Sequence, residues 1–453
     1  MSQYAQLRAE YPTFRYVSYD IQETATTLDV TYHFEIVGLS AFAPRWSFPK
    51  SDRFPLQTEN NATLHEMLFA LGLVELVSYW KITCSPRVEI LAGSVTDAQI
   101  AWFKRLYYHG LGEFFYCNGI TADEDTFMDM VSLGTKPAGE KMVVSTLDGC
   151  LVPIGGGKDS AVTLELLSYR RDTNYGYIIN PRGATLETVK AAGYDDSHLH
   201  VARRTLDKNM LELNKQGFLN GHTPFSAVVA FSALVTAYLH HLRYIVLSNE
   251  SSANESTVEG STVNHQYSKS FAFEQDFCDY EATYIGSGIS YFSLLRPLSE
   301  YQIAGLFSKY TAYHKIFRSC NAGSKEDKWC GNCPKCLFVF LILSPFLPHA
   351  YLCDIFGKDL TEDKNMLPLF EQLIGMRPEK PFECVGSRDE VNTAVTVTIK
   401  DMEAKGETLP LMFDYYKTTA LYAEYAAKEN AYATYFDTAH LLPHEFEQLI
   451  NGR

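Results

Sequence analysis

The pattern of apolar and polar positions changes once along the chain. Before residue 140 strand-like and helical patterns are mixed: 30–37 and 87–91 read as strands, and 64–81 carries its apolar residues as a helix does. Thr96-Asp97-Ala98-Gln99 has capping-box spacing, and Ile100, Trp102, Phe103, Leu106 and Tyr107 follow it with roughly helical periodicity, so a second helix begins there. These features predict an N-terminal α+β domain over residues 1–140, with Pro137-Ala138-Gly139 as the linker that closes it.

From Met142 strands and helices alternate. A strand runs through Val144, Asp148-Gly149 makes a turn, and the apolar run Cys150-Leu151-Val152-Pro153-Ile154 leads into three glycines. Helices are then expected at 161–169, 186–192 and 226–242, and strands at 176–179, 199–202 and 244–247. Strands separated by helices need crossover connections, so residues 141–453 are expected to form an α/β domain: a parallel sheet with helices on both faces, its parallel core ending near Leu247. Beyond it, 358–364 reads as a solvated charged segment and 415–435 as packing helix.

Composition bounds these readings. A chain of 453 residues that is 46% apolar can bury a large core, and ordinary domain sizes divide it into two or three units. The formal charge of −15 opposes nucleic acid and anionic membrane, which are bound chiefly through Lys and Arg, so neither is expected as a partner. Met1-Ser2-Gln3-Tyr4 opens no basic and apolar leader. The apolar stretch 67–80 is interrupted by Glu75, and 337–347 is followed at once by Pro348; both fall short of the roughly 20 residues that span a bilayer and read as buried helices. A cytoplasmic location is therefore expected, with the ten cysteines reduced and those outside 320–336 ordinary buried thiols.

The chemistry concentrates at Gly155-Gly156-Gly157-Lys158-Asp159-Ser160. This turn leaves an apolar strand and opens an apolar helix, where backbone N–H groups and the positive end of the helix dipole can hold phosphate. The glycines admit a ligand to the main chain, Lys158 brings charge, Ser160 a hydroxyl, and Asp159 a carboxylate for a magnesium ion bridging phosphates. The spacing fits neither a Walker A loop nor a dinucleotide fingerprint. It resembles the Ser-Gly-Gly-x-Asp-Ser signature of PP-loop enzymes, with Gly155 in place of the first serine. That resemblance implies an adenine nucleotide alpha-hydrolase-like fold and ATP cleavage between the α and β phosphates.

Cys320, Cys330, Cys333 and Cys336 supply four thiolates, enough to close a tetrahedral zinc shell, and Gly331 permits the tight knuckle between them. PP-loop enzymes that make 7-cyano-7-deazaguanine carry a similar zinc-binding arrangement. An iron–sulfur cluster also accepts four thiolates and ranks second.

Other polar groups cluster beyond strands. Asn249-Glu250, near Asn254-Glu255, follows the strand 244–247, at a sheet end where ligands bind; Glu250 can ligate magnesium or move a proton, and a cap or solvated loop explains it equally well. Arg182, in Asn180-Pro181-Arg182-Gly183, can fork onto phosphate or carboxylate. Arg203-Arg204, His222-Thr223-Pro224-Phe225, Tyr267-Ser268-Lys269-Ser270, Arg296 and Arg388 are further candidates for an anionic substrate, and His222 and His265 are weak candidates for a base.

The glycine turn, Ser248-Asn249-Glu250-Ser251-Ser252-Ala253-Asn254-Glu255 and Trp329-Cys330-Gly331-Asn332-Cys333-Pro334-Lys335-Cys336, taken together, resemble the UDP-N-acetylmuramoyl-L-alanyl-L-glutamate epimerase family, MurL, over the whole length. The resemblance implies an ATP-dependent inversion of the terminal L-glutamate of the cell-wall precursor UDP-MurNAc-L-Ala-L-Glu, with AMP and pyrophosphate released, in peptidoglycan synthesis and so in cell shape and division. On the residue readings above, Lys158, Asp159 and Glu250 are then the candidate catalytic groups and Arg182 and Asn249 the candidate substrate contacts, with ATP, Mg2+ and structural Zn2+ as the expected cofactors. An ionised carboxylate makes the neighbouring C–H very hard to deprotonate, and an acyl adenylate removes that obstacle. Neither the proton carriers nor the oligomeric state can be read from the residues. Two other readings stand beside it: a PP-loop amide-forming or nucleobase-modifying enzyme, which would need ammonia or a sulfur donor, and a non-catalytic ATP-binding sensor.

Overall fold

Alternating burial along β1 (Thr13–Glu23) and β2 (Thr27–Ile36) starts a sheet that runs through the whole molecule. It continues with β3 (Ser40–Phe42), β4 (Arg45–Pro49), β5 (Arg87–Ile90), β6 (Asp129–Ser132), β7 (Cys150–Pro153), β8 (Asn174–Ile179), β9 (Leu199–Thr205), β10 (Tyr244–Leu247) and β11 (Ser290–Ser293). The structure is a computed structural model that describes residues 2–136, 139–142, 144, 146–254, 266–320, 322–323 and 326–452. The strand order is β11-β10-β7-β8-β9-β4-β2-β1-β5-β6, with β3 beside β2.

The strands from β7 to β11 are mutually parallel. Their side chains alternate between two cores. Leu151, Tyr177, Ile245, Leu247 and Tyr291 join a core shared with the N-terminal segment, whereas Cys150, Val152, Ile178, Val246 and Phe292 join one built with the C-terminal helices. Burial of both faces is why these strands are short continuous apolar runs. The parallel set does not end at Leu247 as expected: β11 pairs with β10 from Tyr244↔Ser290 to Leu247↔Ser293. Met142 and Val144 are in no strand, while Val143, Pro137 and Ala138 lie outside the described residues.

The N-terminal strands join this set edge to edge. β4 runs antiparallel to β9 through Arg45↔Thr205, Trp46↔Arg204 and Ser47↔Arg203, so the strands before and after residue 140 share one sheet. The helix Ala62–Trp80 lies across that region. Asn61 caps it by accepting a hydrogen bond from the Leu64 N–H. Beginning at Ala62, it has 19 residues and is long and apolar enough to cross a membrane, contrary to the shorter stretch expected; 83% of its apolar window is buried inside the protein. Within it Glu75 is fully buried and accepts hydrogen bonds from Trp46 Nε1 (2.6 Å), Arg204 Nε (2.5 Å) and Arg204 Nη2 (2.8 Å).

The Thr96 capping box forms as expected and starts the helix Asp97–Gly110. Segment 415–435 is not one helix: Leu411–Lys417 stops, Thr419 caps Ala420–Ala427, and a short 3-10 turn follows at Ala431–Ala433. In 358–364 Lys358, Glu362 and Lys364 are exposed, but Leu360 and Thr361 are buried.

Glu75→Ala would leave the Arg204 guanidinium and the Trp46 indole N–H in the core with their carboxylate gone. We expect a loss of about 3–5 kcal/mol, the usual cost of breaking a buried ion pair by removing one partner. Urea denaturation followed by tryptophan fluorescence checks this, and an unchanged midpoint refutes it.

Candidate active site

In chain order the parallel strands read 3-2-1-4-5 across the sheet, so connections leaving the carboxyl ends of β7 and β10 diverge to opposite sides. A crevice opens at such a point, where ligands of open α/β sheets bind. Gly155, Gly156 and Gly157 fill the turn between β7 and the helix Lys158–Leu166. Gly156 has φ +82°, and a Cβ there would press on the Ala184 backbone and the Thr185 nitrogen at 3.2 Å. Gly157 is the N-cap and gives the helix no side-chain cap, so its first N–H groups are left for a ligand. A Cβ on Gly155 meets nothing within 4 Å. The serine of the PP-loop signature would therefore fit at that position.

Two cavities flank the turn and share Pro153, Gly155 and Phe225. The first, of about 490 Å³, lies over β8 and β9 and is lined by Tyr177, Asn180, Arg182, Thr185 and Arg204. The second, of about 450 Å³, is lined by Gly157, Asp159, Ser160, His222, Asn249, Ser268, Lys269, Ser319, Lys335 and Cys384. Asn180 holds the wall of the first cavity by exchanging hydrogen bonds with the Arg204 main chain (2.8 and 3.0 Å). Asn249 reaches from the end of β10 to Ser293 on β11 (3.1 Å).

Lys158 and Glu250 line neither cavity. The Lys158 ammonium is buried and ion-paired to both Asp159 and Glu300. Burial alone would lower its pKa, but the two carboxylates reverse that and hold it charged. Burial pushes the Glu300 carboxyl up to about 8; Lys158 opposes the shift, while Asp159, Glu250 and Glu390 add to it. Two lysines, Lys158 and Lys269, thus act on four carboxylates under the turn, Asp159, Glu250, Glu300 and Glu390, which leaves an excess of negative charge that a divalent cation can offset. Glu390 fixes this arrangement by accepting the Glu300 N–H (2.6 Å) while closing the capping box of the helix Arg388–Ala404.

Several arginines serve the scaffold. Arg296 is fully buried, pairs with Glu274, and donates to the carbonyls of Glu250 and Lys269 (both 2.6 Å), tying together the segments that carry them. Arg204 borders the first cavity with its guanidinium on Glu75. Arg203 is exposed, and Arg388 donates to the carbonyls of Arg377 and Pro378; both are outside the two cavities. His222 lies 3.4 Å from Glu113, whose carboxyl is pushed up to about 7 by burial and by Glu383 and Cys384. Glu255 and His265 lie outside the described residues.

The four cysteines converge, with Sγ atoms 3.4 Å (Cys333 to Cys336), 3.6 Å (Cys330 to Cys336) and 3.7 Å (Cys333 to Cys320) apart. They form a cluster able to hold a metal ion. Gly331 takes φ +67°, the left-handed turn the knuckle needs. The surrounding loop reaches the crevice: the Arg318 N–H donates to the Gly156 carbonyl (2.7 Å), Asp327 accepts the Ala184 N–H (3.0 Å), and Ser319 and Lys335 border the second cavity.

The MurL N-terminal domain model matches residues 5–294, and the MurL C-terminal domain model matches 316–424. The chain belongs to the MurL family. Among its relatives is the UDP-N-acetyl-alpha-D-muramoyl-L-alanyl-L-glutamate epimerase of Xanthomonas oryzae pv. oryzae, 36% identical over 369 residues, 80% of each chain. The proteins of the same name from a Micromonospora strain and from Salinispora tropica are also 36% identical, over 74% and 76% of this chain and 75% of their own. A ketoreductase domain from the bacillaene assembly line aligns with a TM-score of 0.22 at 14% identity, covering 55% of this chain and 74% of that one, too little shared geometry to inform the fold.

In this MurL chain the N-terminal match runs through the glycine turn to the end of β11, and the C-terminal match carries Lys335, Cys384 and Glu390. The second cavity is therefore assembled from both. Glu300 and Ser319 were not legible as site residues, since their role comes from packing alone. Lys335 stood in the sequence only as part of the cysteine knuckle, and Cys384 only as an ordinary buried thiol.

Gly156→Ala should lower stability by about 1–2 kcal/mol, because an L side chain resists this backbone conformation. Gly155→Ser should leave the melting temperature unchanged, as its side chain enters open space. Thermal melts of the two variants check the contrast, and equal shifts would refute it.

Proposed function

We propose that this chain inverts the terminal L-glutamate of UDP-MurNAc-L-Ala-L-Glu at the expense of ATP, through an acyl adenylate, with AMP and pyrophosphate released. The observation that carries the reading is 36% identity, over 74% to 80% of the chain, to relatives named as this epimerase. A PP-loop placement is supported by the uncapped glycine turn at the strand-order reversal. The reaction feeds peptidoglycan precursor synthesis, and through it cell shape and division. We place it in the cytoplasm, where ATP and UDP-linked precursors meet.

In this reading the Gly155–Gly157 main chain and Ser160 hold phosphate at the helix end. Lys158 acts through Asp159, fixing its carboxylate at the cavity edge. Asp159, with the buried Glu250 behind it, supplies the negative charge that retains magnesium. ATP converts the glutamyl carboxylate into an acyl group whose neighbouring C–H is acidic enough to exchange. Arg182 and Asn249, on separate cavities, orient the anionic substrate from its two sides. Remote contacts to the UDP-sugar set the position of the reacting carboxyl, so free L-glutamate should not react.

Zinc suits the four cysteines. Sulfurs held at about 2.3 Å by a tetrahedral zinc stand about 3.8 Å apart. The Sγ separations of 3.4–3.7 Å approach that single-ion spacing, tighter than a four-iron cluster allows. Zinc would act as a clamp that keeps Arg318, Asp327 and Lys335 against the glycine turn.

Incubation of the protein with UDP-MurNAc-L-Ala-L-Glu and Mg-ATP should yield the D-glutamyl isomer with AMP and pyrophosphate, and Asp159→Ala should abolish AMP release without unfolding the chain. Chiral analysis and nucleotide chromatography read both. Product that stays wholly L with no AMP refutes the assignment; turnover only with ammonia or sulfur, or nucleotide binding without AMP, selects the modifying enzyme or the sensor.

Elemental analysis should find one zinc per chain, and Cys333→Ser should destabilise the fold, since structural zinc supplies roughly 10–16 kcal/mol of apparent binding energy. Iron with acid-labile sulfide, or no metal in anaerobically purified protein, refutes zinc.

A further inference from the structure

We propose that Cys384 is a proton carrier of the epimerisation, its thiolate held by Lys269 to take the α proton of the glutamyl residue; this rests on the epimerase reading above. The Cys384 Sγ lies 3.1 Å from the Lys269 Nζ, and both line the cavity that holds Asp159 and Ser160. Lys269 is not a wandering surface lysine. Its carbonyl is anchored by Arg296, which is itself locked onto Glu274. A fixed ammonium against a thiol favours the thiolate, the reactive form.

The charges around the thiol agree. Burial opposes ionisation of Cys384, but Lys269 and Lys335 outweigh it and the nearby Glu250, so the thiol ionises below its usual range. Glu113 also faces it. Outside the four-cysteine cluster every other cysteine is pushed the opposite way, chiefly by burial: Cys84, Cys117, Cys150, Cys278 and Cys353. Cys384 thus combines access to the cavity with a built-in counter-ion. Two other titratable groups of the same cavity are engaged, Asp159 with Lys158 and His222 with Glu113.

The step balances without a redox partner. The Cα–H bond breaks, its electron pair moves onto the acyl carbonyl oxygen as an enolate, and the proton passes to Sγ to give the thiol. The enolate takes a proton from water on the opposite face, and the thiol returns its own to solvent. Lys269 stays protonated throughout, stabilising the thiolate at the start and the enolate's charge afterwards.

The test uses the full chain, UDP-MurNAc-L-Ala-L-Glu and Mg-ATP in deuterated water, with AMP, α-deuterium and D-glutamyl product all measured. In Cys384→Ala and Cys384→Ser, inversion and α-deuterium should fall at least about a hundredfold, in line with loss of a general base, while AMP formation falls less than about tenfold. Inversion within about threefold of wild type overturns the proposal, and so does an equal fall in AMP and inversion, which would mark a role in adenylation or folding. Wild-type protein that forms no D-glutamyl product counts against the epimerase reading itself. A second measurement does not depend on turnover. At pH 7 iodoacetamide should label Cys384 faster than Cys353, as read by peptide mass spectrometry, and Lys269→Met should slow that labelling about tenfold or more. Equal labelling of the two cysteines, or no effect of Lys269→Met, rejects the thiolate.

Discussion

Three antiparallel residue pairs between β4 and β9 join the two halves of the sheet, and behind them sits a buried carboxylate, Glu75, that receives Arg204 and Trp46 at once. Neither sheet half closes its own edge at that line. Each uses the other as its missing neighbour, which removes two exposed strand edges. Arg204 also borders the first cavity, and Asn180 clamps its main chain, so the wall of that cavity is anchored in the N-terminal segment. The seam is at once a folding contact and a wall of the site.

A second constraint lies under the glycine turn. Lys158 cannot be left alone in the core, so Asp159 and Glu300 surround it, and Glu390 holds Glu300 from the start of a helix 90 residues further along the chain. The cysteine loop adds a latch through Arg318 and Asp327, touching the turn and the next helix start. Segments distant in sequence therefore fix the geometry of six consecutive residues.

Regular elements were legible where packing and pattern agreed. The helix capped by Thr96, the strand 244–247 and the strand into the glycine turn all emerged from local signals. β11 was missed because only Tyr291 and Phe292 of Ser290–Ser293 are apolar, so it lacks the continuous apolar run that marks the equally short β10. The first strand, β1, was missed because only its opening residues Phe14 and Tyr16 are fully buried and its second half is largely polar. The apolar helix, read as 64–81, starts two residues earlier at Ala62, because Asn61 defines its start through a single hydrogen bond that the apolar period does not show.

By itself the sequence determined the glycine turn, the four-cysteine knuckle and the alternation that makes a parallel sheet, because each depends on neighbours within a few residues: backbone freedom, ligand spacing and hydrophobic period. Only the tertiary structure decided what the long charged side chains do. Arg204 and Arg296 read as cations for an anionic substrate and Lys158 as a charge for the nucleotide's phosphates, yet each lies within reach of a buried carboxylate brought to it from elsewhere in the chain. A charge in the core must find its partner whatever the sequence distance, and the same rule leaves Lys269 and Cys384 facing one another at the cavity wall.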